Sequence, residues 1–219
     1  MLETTCPLCL AEHSQPFHRD KQREYLRCGV CMLVFVTESR HLSPAAEKAL
    51  YDLHQNQTDD PGYWRFLSRL ATPLFARLPP AANGLDYGCG PGPALAEILR
   101  AAGHTVQLFD PIYANDLEHL NNTYQFITCT EVVEHFRQPR QEFDRLFGML
   151  QADGWLAIMT KLVIDADAFS RWHYKNDPTH IAFFSQPTFA WLARHYDCRV
   201  EFVGKDVIIL QRNRRHCRH

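Results

Sequence analysis

The apolar positions of the chain follow different patterns in its first and second halves. Residues 44–78 place apolar side chains at helical spacing, and Asp60 before Pro61 predicts a break between two helices. From residue 83 onward, short apolar runs typical of buried strands alternate with helical stretches. This alternation predicts an α/β fold, in which helices cover both faces of a largely parallel sheet.

The elements of this sheet can be placed along the sequence. Its predicted strands are "GLDYG", "TVQLFD", "YQFITC" and "GWLAIMT". Helices are predicted over 93–102 and, in two stretches, over 130–150. The last apolar runs, "CRVEFVG" and "DVIILQR", flank a turn at Gly204 and Lys205, which predicts an antiparallel hairpin.

Two Cys-x2-Cys motifs mark the start of the chain as a metal site. The four cysteines are Cys6, Cys9, Cys28 and Cys31. Four thiolates can close a tetrahedron around zinc, and they leave no coordination position open for a substrate. The spacing therefore favours a structural zinc over a catalytic one. A redox pair is the alternative, although a single Cys-x2-Cys motif would suffice for that.

The charge of the chain argues against a broad nucleic-acid surface. The 219 residues carry 23 basic and 25 acidic side chains, and 46% of the residues are apolar. Four of the basic residues lie in the last nine positions: Arg212, Arg214, Arg215 and Arg218. The other 210 residues carry 19 basic and 25 acidic side chains, whereas a surface that neutralises phosphates needs a basic excess. Small-molecule chemistry is therefore favoured.

The sequence also suggests where the protein works. It starts without the basic-then-apolar order of a signal peptide, and no apolar run approaches the roughly 18 residues that span a bilayer. We expect a cytoplasmic protein with no membrane partner. In that reducing compartment its eight cysteines are more suited to metal binding than to disulfides.

A glycine-rich loop predicts a nucleotide-like ligand. "LDYGCGPGP" follows a predicted strand and opens a helix, and its glycines are Gly88, Gly90 and Gly92. Glycines at this edge of a sheet let backbone approach a ligand closely. A dinucleotide fingerprint fails in both frames, because Pro93 or Leu95 stands at the third glycine position. Asp110 ends the second strand, where a carboxylate can accept hydrogen bonds from ribose hydroxyls.

Three segments together resemble the class I S-adenosylmethionine-dependent methyltransferases: "LDYGCGPGP", the strand end "LFDP" and "ITCTEVVEHF". The resemblance covers roughly residues 80–211, and "CPLC" with "CGVC" is similar to bacterial members that carry an N-terminal zinc ribbon. It implies a Rossmann-like, seven-stranded sheet with an antiparallel last strand, and S-adenosylmethionine as cofactor. The cofactor-binding residues that it implies are Asp86, Gly88, Gly90, Gly92, Asp110 and Thr130.

One interval departs from that family. Only "PIYANDLEHLNNT" separates Asp110 from the next predicted strand, where the family usually fits a helix, a third strand and an acid that contacts adenine. We therefore expect the edge strand to be short or lost. Asp116 is a candidate for the missing adenine contact.

A second cluster of ionisable residues follows the strand "YQFITC". Glu131, Glu134 and His135 have the spacing of one helix face. With His180 in "DPTHIAFFSQPTF", this pattern resembles the metal site of the small-RNA 2′-O-methyltransferases, and a similar Glu-x-x-Glu-His occurs in ubiquinone-pathway O-methyltransferases. The resemblance implies a divalent cation held by Glu131, Glu134, His135 and His180. Alternatively, the glutamates favour a helix N-terminus and His135 packs locally.

These features lead to one expected function and two alternatives. We expect O-methylation of a small molecule, with His135, His180 and Glu131 as catalytic residues and with a structural zinc. His135 and His180 act either as a general base or as ligands of a second divalent cation, and this choice stays open. Methylation of RNA is one alternative. The other is a non-catalytic zinc-ribbon binding module on a methyltransferase fold, but such a module would not need an intact "DYGCGPG" and Asp110. The expected domains are a zinc ribbon over 1–40, a helical linker or lid over 41–80, a methyltransferase domain over 81–211 and a basic tail over 212–219.

Overall fold

The computed structural model of the protein describes residues 4–53 and 60–214. Arg215 and Arg218 of the predicted tail lie outside the described residues, as does part of the predicted linker. The strands are β1 Ser14–Arg19, β2 Glu24–Cys28, β3 Val34–Val36, β4 Asn83–Tyr87, β5 Thr105–Phe109, β6 Tyr124–Thr130, β7 Leu150–Met159, β8 Ala182–Phe183, β9 Cys198–Val203 and β10 Val207–Arg212. The α-helices are α1 Pro44–Tyr51, α2 Pro61–Phe75, α3 Ala94–Ala101, α4 Pro139–Met149, α5 Ala166–Ser170 and α6 Gln186–His195. Short 3-10 helices cover Glu38–Arg40, Leu117–Asn121, Val133–His135 and His173–Asn176.

The larger sheet confirms the predicted α/β fold. Its strands are ordered β5-β4-β6-β7-β10-β9 along the described chain. Neighbours among β5, β4, β6 and β7 run parallel, whereas β10 is antiparallel to both β7 and β9. The predicted terminal hairpin is therefore β9 and β10, and Gly204 in its turn has a φ of +66°.

Helices pack on both faces of this sheet because each strand buries side chains on both sides. Leu70 of α2 and Leu99 of α3 share a core with Phe126 on one face. Phe143 of α4 shares a core with Ile127 on the other face, where α6 also packs. Along the parts of the chain that are described, no helix has both the length and the apolar character that a membrane crossing demands.

Two local expectations are corrected by the structure. Within the described residues the sheet has six strands rather than seven. The interval between β5 and β6 holds the 3-10 helix Leu117–Asn121 in place of a helix and a strand, so the expected loss of the edge strand is confirmed. The first helical stretch predicted after β6 is a single 3-10 turn, Val133–His135. Glu131 precedes it with a φ of +53°, which no α-helix contains. The two glutamates and His135 therefore do not share an α-helix face.

The cysteine-bearing segment is built into the rest of the molecule. The smaller sheet has the order β1-β2-β3-β8, so its fourth strand comes from the C-terminal half of the chain. Val34 pairs with Phe183 across this junction. Leu33 and Phe35 lie in the same hydrophobic core as Phe184. The N-terminal sheet thus depends on the α/β part for both an edge strand and a core.

Candidate active site

A cleft of about 1410 Å³ opens beyond the carboxyl ends of β4, β5 and β6. In α/β proteins this edge of the sheet is where ligands bind. The predicted glycine loop and Asp110 line one end of the cleft, which we call the cofactor end. Glu131, His135 and His180 line the other, which we call the histidine end. Helix α1 contributes side chains to the wall, among them Tyr51.

The cofactor end is mostly backbone held in a shape that only glycine adopts easily. Gly88 has a φ of +76°, and a Cβ on it would lie 2.5 Å from a methyl group of Val132. Gly90 has a φ of +63°, and a Cβ there would meet no atom within 4 Å. The Gly88 amide donates a hydrogen bond of 2.7 Å to the carbonyl of Phe109, which ties the loop to β5. The loop therefore leaves an open cradle beside β4, and Gly92 lies along the same wall.

Asp110 organises this end through three hydrogen bonds from backbone amides. Its Oδ2 accepts from Gly90 at 3.0 Å, and its Oδ1 accepts from Ile112 at 2.8 Å and from Tyr113 at 3.0 Å. The two carboxylate oxygens offer four acceptor positions, so one position on Oδ2 remains for a ligand hydroxyl. Asp110 is 8% exposed.

Thr130 and Asp86 complete the fit to a cofactor. Thr130 Oγ1 is buried without a hydrogen-bond partner anywhere in residues 4–53 and 60–214, although the side chain lines the cleft. A polar ligand group would satisfy this hydroxyl. Asp86 accepts a 2.7 Å hydrogen bond from the Thr128 hydroxyl. Burial raises the pKa of Asp86 to about 6, against the lowering effect of that bond. The glycine cradle, the open acceptor on Asp110 and the unpaired hydroxyl together suit S-adenosylmethionine.

A half-buried glutamate, Glu131, and a buried one, Glu134, face one tyrosine at the histidine end. Glu134 is completely buried, and its carboxylate accepts hydrogen bonds from the hydroxyls of Tyr174 and Thr160. The Tyr174 hydroxyl also lies 3.3 Å from Glu131 Oε2. The backbone amide of Glu131 donates to the Met159 carbonyl at 2.8 Å, which fixes the residue at the end of β6.

The surroundings of this pair favour protonated carboxyl groups. Burial, followed by the charge of Glu134, raises the pKa of Glu131 well above its ordinary value, while Lys161 and Tyr174 act in the opposite direction. Burial also raises the pKa of Glu134, and the hydrogen bond from Tyr174 opposes that shift. Two coupled carboxyls of this kind can hold a proton between them near neutral pH.

The two histidines point their Nδ1 atoms at backbone carbonyls. His180 Nδ1 lies 2.7 Å from the Tyr174 carbonyl oxygen, and His135 Nδ1 lies 3.1 Å from that of Thr179. A carbonyl only accepts, so both Nδ1 atoms carry the proton and both Nε2 atoms carry the lone pair. The ring centroids are 4.7 Å apart. Burial, followed by the charge of His135, lowers the pKa of His180, which keeps that ring neutral at physiological pH.

Three of the four predicted cation ligands come together. One ligand atom each from Glu134, His135 and His180 lies within 4.8 Å of the others. Glu131 is outside this group and faces Tyr174 instead. A nitrogen-rich set of two imidazoles and one carboxylate suits zinc, iron, cobalt or manganese better than magnesium. Hydrogen bonds from Nδ1 to carbonyls are also the usual support of histidine ligands.

Some functional candidates could not be found from sequence spacing. Tyr174 joins the two glutamates, yet it is one aromatic residue among many and lies some 40 positions from them. Asp116 caps the 3-10 helix by accepting from the Glu118 amide at 3.0 Å, and it does not line the cleft. Tyr113, three residues earlier, does line it.

The four N-terminal cysteines form a second cluster with metal-binding geometry. Their Sγ atoms lie within 4.8 Å of one another. The Sγ–Sγ distance is 3.5 Å from Cys6 to Cys31 and 3.3 Å from Cys9 to Cys28. Zn–S bonds of about 2.3 Å require tetrahedral sulfur–sulfur edges of about 3.8 Å, close to these values. The amides of Val30 and Cys31 point at Cys28 Sγ, as expected beside a thiolate.

Comparison with known proteins places the fold. The sequence profile of a methyltransferase domain family matches residues 54–202. No curated protein matches the chain at a significant level of sequence similarity. One similar solved structure is an O-methyltransferase family protein from Burkholderia thailandensis, with 19% identity and a TM-score of 0.52. That match covers 78% of this chain, but this chain spans only 60% of that protein.

Two further solved structures contain bound S-adenosylhomocysteine. The 1,6-didemethyltoxoflavin N1-methyltransferase of Burkholderia thailandensis is 16% identical, and the match covers 91% of this chain and 99% of that one with a TM-score of 0.52. The magnesium protoporphyrin IX methyltransferase of Synechocystis is 13% identical, with coverages of 78% and 95% and a TM-score of 0.52. The family match confirms the enzyme class predicted from the sequence. The chain belongs to the methyltransferase domain family and has the fold of an S-adenosylmethionine-dependent methyltransferase.

Proposed function

We propose that the protein transfers the methyl group of S-adenosylmethionine to an oxygen atom of a small molecule bound at the histidine end of the cleft. The observation that carries the proposal is the continuity of one cleft, which runs from the glycine cradle to two imidazoles that both direct a lone-pair nitrogen away from the backbone. Bound S-adenosylmethionine would supply an activated sulfonium methyl group.

The cofactor end would bind and orient that ligand. Gly88, Gly90 and Gly92 provide the close backbone wall, and Asp110 Oδ2 has an open acceptor for a ribose hydroxyl. The unpaired Thr130 hydroxyl would contact the methionine part. Asp86 also lines this end, and its carboxylate accepts a hydrogen bond from Thr128.

The histidine end would hold the acceptor and take its proton. His180 is the leading general base, because its Nε2 carries the lone pair and the ring is fixed by the Tyr174 carbonyl. His135 is the second candidate, with the same tautomer. Glu131 would orient the acceptor through a hydrogen bond. A divalent cation, if bound by Glu134, His135 and His180 with Glu131 nearby, would lower the pKa of an acceptor hydroxyl.

A small-molecule acceptor is better supported than RNA. The cleft has the dimensions of a site that encloses a cofactor and a compact second ligand. Outside the last nine residues the chain carries 25 acidic and 19 basic side chains, which disfavours a polyanion. The two fold relatives that contain S-adenosylhomocysteine are named for small-molecule acceptors.

We further propose that residues 1–40 form a zinc ribbon with one structural zinc on the four N-terminal cysteines. The sulfur spacing and the amides directed at Cys28 support this assignment. Residues 41–80 would then act as a helical linker and lid, ahead of a methyltransferase domain over 81–211.

The test combines binding and transfer. Calorimetry with S-adenosylhomocysteine should give one site per chain with a Kd below about 100 µM. Tritiated methyl from S-adenosylmethionine should then be transferred to members of a panel of phenols, catechols and hydroxy acids, and not to matched amines or to ribosomal and transfer RNA. Absence of binding would remove the cofactor assignment. Methylated amines or RNA, with no O-methyl product, would contradict the acceptor assignment.

A further inference from the structure

Arg23, in the turn between β1 and β2, is a buried cation outside the cleft. The side chain is 7% exposed, although arginine is rarely buried without a carboxylate partner. No carboxylate forms an ion pair with it within residues 4–53 and 60–214. Its guanidinium instead donates hydrogen bonds to a series of backbone carbonyls in one distant segment.

That segment, residues 174–180, carries the carbonyls and side chains of the histidine end. Arg23 Nη1 donates to the carbonyls of His180 at 2.9 Å and Pro178 at 3.3 Å. Its Nη2 donates to the carbonyls of Asp177 at 3.0 Å and of Lys175. The positive charge is thus compensated by four carbonyl dipoles from one short stretch of backbone. A lysine has a single nitrogen and cannot span both pairs of carbonyls.

The same stretch sets the tautomers of both cleft histidines. The Thr179 carbonyl accepts from His135 Nδ1, and the Tyr174 carbonyl accepts from His180 Nδ1. Thr179 lies between two residues whose carbonyls Arg23 binds. The Ile181 amide donates to the Glu134 carbonyl at 2.9 Å, which joins this stretch to the 3-10 turn bearing His135. Any movement of the stretch would therefore move the acceptors of both imidazole protons.

The Arg23 turn is itself rigidly held. Asp20 Oδ1 accepts from the amides of Gln22 and Arg23, both at 2.8 Å. Asp20 Oδ2 accepts from the Tyr25 hydroxyl at 2.9 Å and lies 3.4 Å from Lys175 Nζ. Because the turn is already ordered, holding the Arg23 side chain in place costs little further conformational entropy. This suits a residue whose contacts fix the backbone of residues 174–180.

We propose that Arg23 is a positioning residue for the histidine end: by binding the carbonyls of residues 175–180, it fixes the backbone that orients His135 and His180. The cysteine-bearing sheet would then be a structural part of the acceptor site rather than a separate binding module. The catalytic roles of His135 and His180 rest on the proposed function. The contact of Arg23 with residues 175–180 and its effect on the histidine tautomers do not.

The test is the tautomer state of the rings, read from long-range ¹H–¹⁵N correlation spectra of protein labelled with ¹⁵N-histidine. His135→Gln and His180→Gln identify the two signals. In wild-type protein both rings should carry the proton on Nδ1. In Arg23→Lys and Arg23→Ala both signals should shift to the Nε2–H or an exchange-averaged pattern, while affinity for S-adenosylhomocysteine stays within about threefold. Arg19→Ala, which removes an exposed charge of the same hairpin, should leave both signals unchanged.

Two results would overturn the proposal: wild-type rings protonated on Nε2, or Nδ1–H signals that persist in a folded Arg23 variant. If neither Arg23 variant folds, hydrogen exchange in the wild type decides, because slow exchange at the Ile181 amide supports a fixed segment and exchange within the dead time contradicts it. Failure of wild-type protein to bind S-adenosylhomocysteine would remove the proposed function and leave the tautomer result standing.

Discussion

The cofactor end of the cleft comes mostly from one stretch of chain, to which β6 adds Thr130, whereas the histidine end is assembled from side chains of distant segments. Residues 86–113 supply the glycine loop, Asp110 and Tyr113. The histidine end needs residues 131–135, Thr160 and residues 174–180, and Arg23 supports it from the N-terminal sheet. We therefore expect the cofactor end to be sensitive to backbone shape, and the histidine end to be sensitive to the removal of single side chains.

The largest effect should come from the histidine end. His180→Ala removes the proposed general base and should lower turnover about 10²- to 10⁴-fold, with the acceptor found in the transfer screen. Affinity for S-adenosylhomocysteine should change less than twofold, because the cofactor end is untouched. His173→Ala is the matched control, since that ring is exposed and lies outside the cleft lining. A parallel loss of turnover and affinity in His180→Ala would mean that the two ends are not separable.

Asp110→Ala should affect the opposite end. The variant loses an acceptor of three amide hydrogen bonds, and hydrogen bonds to a charged group are worth about 1.5 to 3 kcal/mol each. Affinity for S-adenosylhomocysteine, measured by calorimetry, should fall at least tenfold. Asp116→Ala removes an exposed acid six residues away and should bind normally. Unchanged binding by Asp110→Ala would contradict the assigned role of the loop.

Loss of the proposed N-terminal zinc should lower the stability of the cysteine-bearing sheet, which contacts the histidine end, and should leave the cofactor end unchanged. Cys28→Ser opens a closed four-sulfur site, so elemental analysis should fall from one zinc per chain to near zero. The melting temperature should drop by about 5 to 10 °C, while cofactor affinity changes little. Cys198→Ser, which alters a half-buried thiol of β9, should keep both the zinc and the melting temperature. Zinc-free wild-type protein with a normal melting temperature would refute the structural role.

The smallest effect concerns Asp20, which anchors the Arg23 turn. Burial raises the pKa of Asp20, but the amides of Arg23 and Gln22 with Tyr25 and Lys175 outweigh it and lower the value to about 2. Because the pKa of Asp20 is lower in the folded than in the unfolded protein, its ionised carboxylate stabilises the fold above about pH 4. This stabilisation is lost as the pH falls from about 4 to about 2. Asp20→Asn should therefore cost about 1 kcal/mol in urea unfolding at pH 7.

Urea unfolding at several pH values checks the lowered pKa of Asp20. The difference between wild type and Asp20→Asn should be the same at pH 7 and pH 5, and smaller at pH 3. Glu24→Gln, an exposed acid on the same hairpin, should show little difference at any of these values. A cost for Asp20→Asn that grows toward low pH would have the wrong sign.

The contrast between the two ends also explains what could be predicted from the sequence. Gly88, Gly90 and Asp110 lie close together in the chain, and their chemistry depends on strand ends that the apolar pattern marks. The α/β alternation, the terminal hairpin and the lost edge strand were predictable for the same reason. The pairing of His135 with His180 was expected only through a resemblance.

Other features depend on contacts that no local pattern encodes. The positive φ of Glu131 replaces the expected helix with a 3-10 turn, and residue type does not reveal it. Tyr174 and Arg23 act across 40 and more than 150 positions of sequence. The pairing of β3 with β8, which makes the cysteine-bearing sheet part of the whole, is equally non-local.

The most direct test of this account is a crystal structure of the protein with S-adenosylhomocysteine. We predict that the ribose lies beside Asp110 with the adenine toward Tyr113, and that the sulfur faces the space between Thr130 and the imidazoles of His135 and His180. A ligand bound in the reverse direction, with the adenine near the histidines, or one bound outside the cleft, would contradict the division into a cofactor end and an acceptor end.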